Sequence, residues 1–427
     1  MTLSYRFVDR LFKRSYDPPV EHWDIIVVGG GASGLVAAGS AARNAAHVLV
    51  CEKMPRIARK VGIAGKGRCN VTNDKPVDLF VDGYRNGGDF LRSAFSRFFV
   101  RDTIELLERR QVPCLVERGG RVFPASGKAG DVVNALYRYA RASGGAVRTD
   151  AAITAISRAT DGFEVTTAGG GLLCRRLILA TGGKSYPATG STGDGYRFAR
   201  ALGHQVVTPR PALAPLIIAG SSPDLRVHLR NATITLLDGK QKVGEGFGEA
   251  SLLGDKLEGP VPLQFARDVS GLKEPRVSID LKPALDAEKL DARLRRDLEH
   301  DGKVHLQKVI DGLLPQALIP LFVERLRLDL EQRCAEVSRK GRQALVALCK
   351  NLLFAVTGVG GWELALVTAG GVALDEVDPR TMESKIVPGL FLCGEVLDID
   401  GQSGGYNLQA AFSTGFVAGL GASEAKP

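Results

Sequence analysis

The 427-residue sequence is short of several things, and each shortage removes a class of function. Seven cysteines stand at 51, 69, 114, 174, 334, 349 and 393. The number is odd and no two form a C-x-x-C pair. That argues against a disulfide framework and against a zinc site, and fits a reducing compartment. No histidine or second cysteine lies at ligand spacing from Cys69. No run of five like charges occurs, so the formal charge of +9 is spread thinly over the chain. Such a balance suits a basic solvated surface and an anionic cofactor or substrate. No basic cluster interleaved with aromatics and no RNA-binding module is visible, so nucleic acid is not the expected partner. Residues 1–22 lack an apolar h-region and read as an N-terminal extension, not a signal peptide. Residues 25–42 are uncharged, but five glycines and two serines interrupt them. They read as strand, turn and helix, not as a membrane span. A cytoplasmic protein without metal is expected, acting on a small-molecule substrate.

What is present is an ordinary globular composition, 44% hydrophobic and 24% charged, long enough for two or three domains. The most informative pattern occurs three times. "DIIVVGGG" (24–31), "RLILATGG" (176–183) and "GLFLCGE" (389–395) are short apolar runs that end in glycine. Continuous apolar runs suit strands buried on both faces of a parallel sheet. Ligands of open α/β sheets lie beyond the carboxyl ends of such strands. The three runs therefore predict one sheet assembled from distant parts of the chain.

The first run opens a dinucleotide fingerprint. Gly29, Gly31 and Gly34 form G-x-G-x-x-G, and Ala32 and Ser33 begin a small-residue helix. "HVLVCEK" makes a second strand that ends at Glu52 and Lys53. The glycines allow a tight turn, admit a pyrophosphate and let helix and strand pack closely. The helix N-terminus favours the anion by about 0.3–2 kcal/mol. Glu52 is suited to accept ribose hydroxyls and disfavours a 2′-phosphate, so FAD or NAD is expected there. The C-terminal "LFLCGEVLDIDGQSGGYNLQAAFSTG" adds a wall that a flavin requires. Gly394 and Glu395 end a strand, and a helix is expected to start near Gly405. Its N-terminus is suited to the flavin edge on which negative charge builds. Glu395 is suited to ribityl hydroxyls.

Five stretches, "GKGRCNVTN", "GRVFPASGKAGDVVNAL", "LATGGKSYPATGSTGDGY", "VTAGGVALDEVDPRTMESKIVPGLFLCGEVLDIDG" and "GGYNLQAAFSTG", resemble the motifs of BaiN-like, aminoacetone-oxidase-like bacterial flavoproteins. The resemblance covers about residues 22–425 in the same order. It implies an α/β fold in which a GR2-type, Rossmann-like FAD-binding domain is interrupted by a β-barrel-like domain and a small helical domain. The expected boundaries are 23–207 and 369–427 for the FAD domain, 208–282 and 354–368 for the barrel, and 283–353 for the helices. Relatives carry an "FTHxGxSGP"-like segment in the barrel. The corresponding stretch here, "GEASLLGDKLEGPVPL" (248–263), keeps Gly259-Pro260 but lacks the His and Ser.

The residues support the insertion independently. Ala232, Ile234 and Leu236 alternate with Thr233 and Thr235, and Asp238-Gly239 reads as a hairpin turn. Val277, Ile279 and Leu281 alternate likewise. Leu290, Leu294 and Leu298, then Leu306, Val309, Ile310 and Leu313, follow helical spacing, and 344–353 is another helix candidate.

Within "GKGRCNVTN", Gly65 and Gly67 with Asn residues suit a loop of positive φ. Arg68, Asn70 and Asn73 are the expected FAD contacts, and Cys69 reads as a small buried side chain. Ile153, Thr181, Gly182, Gly183, Gly404, Tyr406 and Asn407 complete the candidate cofactor set. Tyr406 is also the candidate acid or base. Asp398 and Asp400 read as loop-structuring carboxylates, and His204 as a surface or capping residue. No second nucleotide fingerprint occurs, so NADH or NADPH is expected only as a transient donor. The expected activity is hydride transfer at flavin N5. The alternatives are an oxidase that uses O₂, and a flavin-dependent RNA-modifying or RNA-binding factor.

Overall fold

The computed structural model describes residues 21–424 apart from 45 and 143. All but the last two residues of the expected N-terminal extension lie outside that range. Glu21 and His22 begin the strand Glu21–Val28.

The three glycine-ended runs lie side by side. Glu21–Val28 pairs in parallel with Gly170–Leu179, which pairs in parallel with Leu390–Leu392. Val48–Cys51 adds on the other side of the first strand, and Ala146–Arg148 lies beyond it. An antiparallel pair, Ile153–Ala159 and Gly162–Thr167, completes seven strands. Ile25, Ile26, Val27, Leu177, Ile178, Leu390 and Phe391 are wholly buried, as continuous apolar runs require.

The helix Ala32–Ala41 is small for a reason of packing. It meets the C-terminal helix Tyr406–Glu424 almost backbone to backbone. A Cβ on Gly415 would stand 2.4 Å from the Ser33 carbonyl oxygen, and one on Gly419 2.1 Å from that of Ala37. Larger side chains on that face would push the helices apart.

The insertion is a closed barrel of six strands followed by helices. The barrel strands are Leu216–Ile218, Arg226–Asp238, Gln241–Leu253, Lys256–Glu258, Pro275–Asp280 and Leu352–Val359. Ala232, Ile234, Leu236, Val277 and Ile279 point inward and are buried, so the period of two marks the interior face. Asp238 pairs with Gln241, which moves the hairpin turn one residue on, to Gly239-Lys240. The helices are Ala287–His300, Leu306–Leu313, Ile319–Leu326 and Arg339–Lys350. The first is capped by Asp286, whose carboxylate accepts the Lys289 N–H at 2.7 Å. The last departs from the expected 344–353. Ser338 caps it earlier, and Leu352 and Leu353 already belong to the closing barrel strand. Barrel and helices share one hydrophobic core, separate from that of the nucleotide sheet.

The two parts are joined by an antiparallel ribbon, Val206–Ala212 against Val367–Val372. They are also clamped side to side. Arg267, on the barrel helix Pro262–Val269, reaches both oxygens of Asp400 at 2.5 and 2.7 Å. Arg85 forks onto Asp268 at 2.9 Å twice. Burial pushes the Asp400 carboxyl above its ordinary range, while Arg267 pulls the other way. Asp398 is also raised by burial, and it accepts from Asn86 at 2.8 Å. Both carboxylates brace the loop before the C-terminal helix.

Among the described residues no single helix is long and apolar enough to cross a membrane. Leu306–Leu313 and Gln316–Leu326 pass that test only as a pair, bent by 118°. No group of three or more His, Cys, Asp or Glu among the described residues is placed to hold a metal.

Candidate functional site

The three fingerprint glycines do separable jobs. Gly29 has φ +107°, and a Cβ there would stand 2.6 Å from the Ala180 carbonyl oxygen. A Cβ on Gly34 would stand 1.9 Å from the Gly29 oxygen, so this glycine sets the approach of helix to strand. At Gly31 a Cβ would meet nothing within 4 Å. Gly31 is also the N-cap of the helix, without a side-chain cap. The first N–H groups of the helix, at Ala32 and Ser33, therefore face open space that suits a pyrophosphate.

Glu52 is buried and held from two sides. One carboxylate oxygen accepts the Gly30 N–H and the other the Met54 N–H, each at 2.8 Å. This fixes its plane and leaves lone pairs for a ribose. Lys53 turns the other way, to Asp194 at 2.6 Å and Thr192 at 2.5 Å. Ile153, two residues after Ala151, opens a strand and pairs with Thr167, and the Ala151 N–H donates to the Glu52 carbonyl oxygen at 2.9 Å.

"GKGRCNVTN" is a loop of positive φ, as expected, but not at glycine alone. Gly65, Lys66, Gly67 and Cys69 lie at +57°, +58°, +84° and +60°. For Lys66 and Cys69 such a backbone costs of order 1 kcal/mol each and must be held by its surroundings. Cys69 donates its N–H to the Ala64 carbonyl oxygen at 2.8 Å and is wholly buried, and burial pushes its thiol up to about 12. The Arg68 guanidinium pairs with Glu117 and lies 4.3 Å from the Phe123 ring centre.

Three buried oxygens in this loop have no partner: Asn70 Oδ1, Thr72 Oγ1 and Asn73 Oδ1. Each unpaired buried polar atom costs about 1–3 kcal/mol, so three together mark the wall of a ligand site. Asn73 Nδ2 donates to the Gly404 carbonyl oxygen at 3.1 Å. A Cβ on Gly405 would stand 2.3 Å from the Thr72 carbonyl carbon, so the loop and the start of the C-terminal helix touch backbone to backbone.

The strand ends close the site. A Cβ on Gly394 would stand 2.4 Å from Ser33 Oγ. One on Gly183 would stand 2.9 Å from Glu395 Oε1, and one on Gly182 3.2 Å from Ser191 Oγ. Thr181 packs against Gly195, whose Cβ would fall 2.0 Å from its Oγ1. Glu395 Oε1 accepts from Ser185 Oγ at 2.9 Å and the Thr368 N–H at 2.7 Å, and its Oε2 accepts from Lys60 Nζ at 2.7 Å. Lys60 also donates to Ser185 at 2.6 Å. Oε2 retains one lone pair for a ribityl hydroxyl. Lys60, Ser185 and Thr368 escaped the sequence reading. Lys60 and Glu395 stand 335 residues apart, and no periodic pattern joins them.

Tyr406 is the first residue of the C-terminal helix, not part of the loop before it. Its ring is buried against Phe80 at 4.5 Å, and its hydroxyl accepts from Lys75 Nζ at 3.0 Å. Asn407 folds back on its own loop, accepting the Gly401 N–H at 2.8 Å and donating to the Gly401 carbonyl oxygen at 2.9 Å. His204 is a correction. It is buried, with Nδ1 2.8 Å from Glu376 and Nε2 3.0 Å from Ser384, because the chain after its helix turns inward.

The residues present fit FAD: an open anion cradle at Gly31, two carboxylates held in place at Glu52 and Glu395, and three orphaned oxygens at residues 70, 72 and 73. Residues 23–421 match the family described as HI0933-like protein Rossmann domain. The chain is 32% identical over 405 residues to a 3-dehydro-bile acid delta(4,6)-reductase of Clostridium scindens, covering 93% of this chain and 98% of that protein. It is 29% identical over 411 residues to a ribosomal RNA dihydrouridine synthase of Escherichia coli, covering 93% and 97%. A flavocytochrome c3 fumarate reductase structure in its open conformation superposes with a TM-score of 0.48 at 17% identity, over 95% of this chain and 79% of that one. The chain belongs to the HI0933-like Rossmann family of FAD-dependent oxidoreductases.

Proposed function

We propose that this protein reduces a carbon–carbon double bond of an organic substrate, with NADH or NADPH as the electron donor. The observation that carries the reading is near-full-length similarity to two relatives whose names both describe saturation of such a bond. FAD, when bound, supplies hydride chemistry at its N5.

The chain's own residues bind and orient. Glu52 takes the ribose hydroxyls, and Gly31 with the first turn of its helix takes the pyrophosphate. Glu395, fixed by Lys60, takes the ribityl chain. The start of the C-terminal helix lays its partial positive charge at the flavin edge. Tyr406 accepts a hydrogen bond from Lys75, which leaves its own O–H free to donate, and it is the proposed acid.

Anaerobic mixing with NADH and with NADPH tests the donor: bleaching of the flavin band is expected, and no bleaching with either removes it. Reoxidation of the bleached protein by a panel of unsaturated ketones, against O₂ alone, then separates a reductase from an oxidase. A second reading, reduction of a base in RNA, is favoured by the dihydrouridine synthase similarity and the charge of +9. Salt-sensitive reoxidation by ribosomal RNA, with none by small ketones, would select it.

A further inference from the structure

Outside the FAD cradle lies a cleft of about 320 Å³ between the helix Asp194–Ala201 and the strand that leaves for the barrel. Lys184, Arg197 and Arg200 line it together with Thr192 and Thr208, and no carboxylate does among the described residues. Asp194 is turned to Lys53 at 2.6 Å and also accepts from the lining Thr192 at 2.8 Å. Arg197 is braced by the Thr154 carbonyl oxygen at 3.0 Å and by the Phe198 ring at 4.4 Å. Lys184 lies 5.0 Å from the Trp362 ring centre. Neither Lys184 nor Arg200 has a carboxylate within ion-pair distance among the described residues. All three cations are exposed, and Arg197 shares the field of Asp194, whose carboxyl it helps to hold below its ordinary range. Three cations facing one cleft still favour an anion there.

The position narrows the ligand. Lys184 directly follows Gly183, whose Cβ position is 2.9 Å from Glu395 in the FAD cradle. The chain has no second dinucleotide fingerprint to hold a donor. From this we infer that the cleft binds the 2′-phosphate of NADPH and selects it over NADH. A phosphomonoester carries about −1.5 to −2 charge at neutral pH, which three cations match better than they match an uncharged ribose hydroxyl. Arg200 and Arg197 supply forked donors, and Lys184 a point charge. The inference rests on the nicotinamide-donor reading above.

The test uses binding without electron transfer. FAD-loaded protein is titrated calorimetrically with NADP⁺ and with NAD⁺. NADP⁺ is expected to bind about tenfold or more tightly, with an advantage that shrinks as salt rises. Arg200→Ala and Lys184→Ala, checked for unchanged flavin absorbance, should each remove most of that advantage and leave NAD⁺ binding as it was. Equal affinities in the unaltered protein, or an advantage that survives both substitutions, overturns the inference. Anaerobic bleaching is scored separately. Bleaching by NADPH with no 2′-phosphate preference sinks this site alone, whereas preference without bleaching sinks the donor role alone.

Discussion

The nucleotide sheet and the inserted barrel each bury a hydrophobic core, yet only one of them is complete in itself. The four buried side-chain polar atoms left without a partner among the described residues are those of Asn70, Thr72, Asn73 and Tyr139, all in the nucleotide-binding part. The barrel and its helices have none. The barrel closes on itself, so its strands satisfy their own hydrogen bonds around a core. The sheet ends in glycines and a strained loop, and its polar groups are arranged for a partner that the chain does not supply.

Four measurements test that contrast. Removing FAD should have the largest effect. A ligand at about a thousand times its dissociation constant stabilises by about 4 kcal/mol. Hydrogen exchange should show that loss at residues 70–73 and 404–407, with the barrel strands Arg226–Asp238 and Gln241–Leu253 unchanged. Equal loss in both would dissolve the distinction.

Arg267→Ala, at the clamp, comes next. It leaves Asp400 buried and unpaired, at a cost of about 3 kcal/mol at neutral pH by thermal or urea unfolding. The sign of its pH dependence follows from burial. A carboxyl whose folded pKa is raised binds its proton more readily folded than unfolded. Stability is then lost as pH rises from the unfolded value through the folded one. Removing Arg267 widens that window, so the variant should recover stability as pH falls back through it. A deficit independent of pH would mean that packing, not charge, joins the two parts.

Gly31→Ala separates ligand binding from folding within the sheet. The added methyl enters open space, so the melting temperature of the FAD-free protein should move little. FAD affinity should fall about tenfold, or about 1.4 kcal/mol, because the pyrophosphate is crowded. The smallest effect is expected at Cys69. With its thiol buried and pushed up to about 12, it should resist iodoacetamide in native protein at about pH 8. Rapid labelling would show that the loop opens.

The contrast also explains what could be read in advance. The three strands were legible because burial on both faces writes an unbroken apolar run, and the barrel because burial on one face writes alternation. Gly31 and Glu52 were legible because the turn, the helix and the second strand follow one another within about thirty residues, as in any such βαβ unit. Lys60, Ser185 and Thr368 were not, because Glu395 collects them from three distant segments. The pairing of Arg68 with Glu117, 49 residues on, was likewise invisible to any local pattern. The inward turn of His204 depends on Glu376 and Ser384, which no local pattern could supply.

The ribbon Val206–Ala212 with Val367–Val372 carries one last implication. Its strands run side by side, about 5 Å apart, so everything between Ala212 and Val367 is, to the nucleotide sheet, the tip of a single hairpin. Closing a long tip costs only about 0.6 kcal/mol more for each doubling of its length. A tip of different size is therefore cheap in chain entropy, provided that it still brings a cation to Asp400, as Arg267 does here.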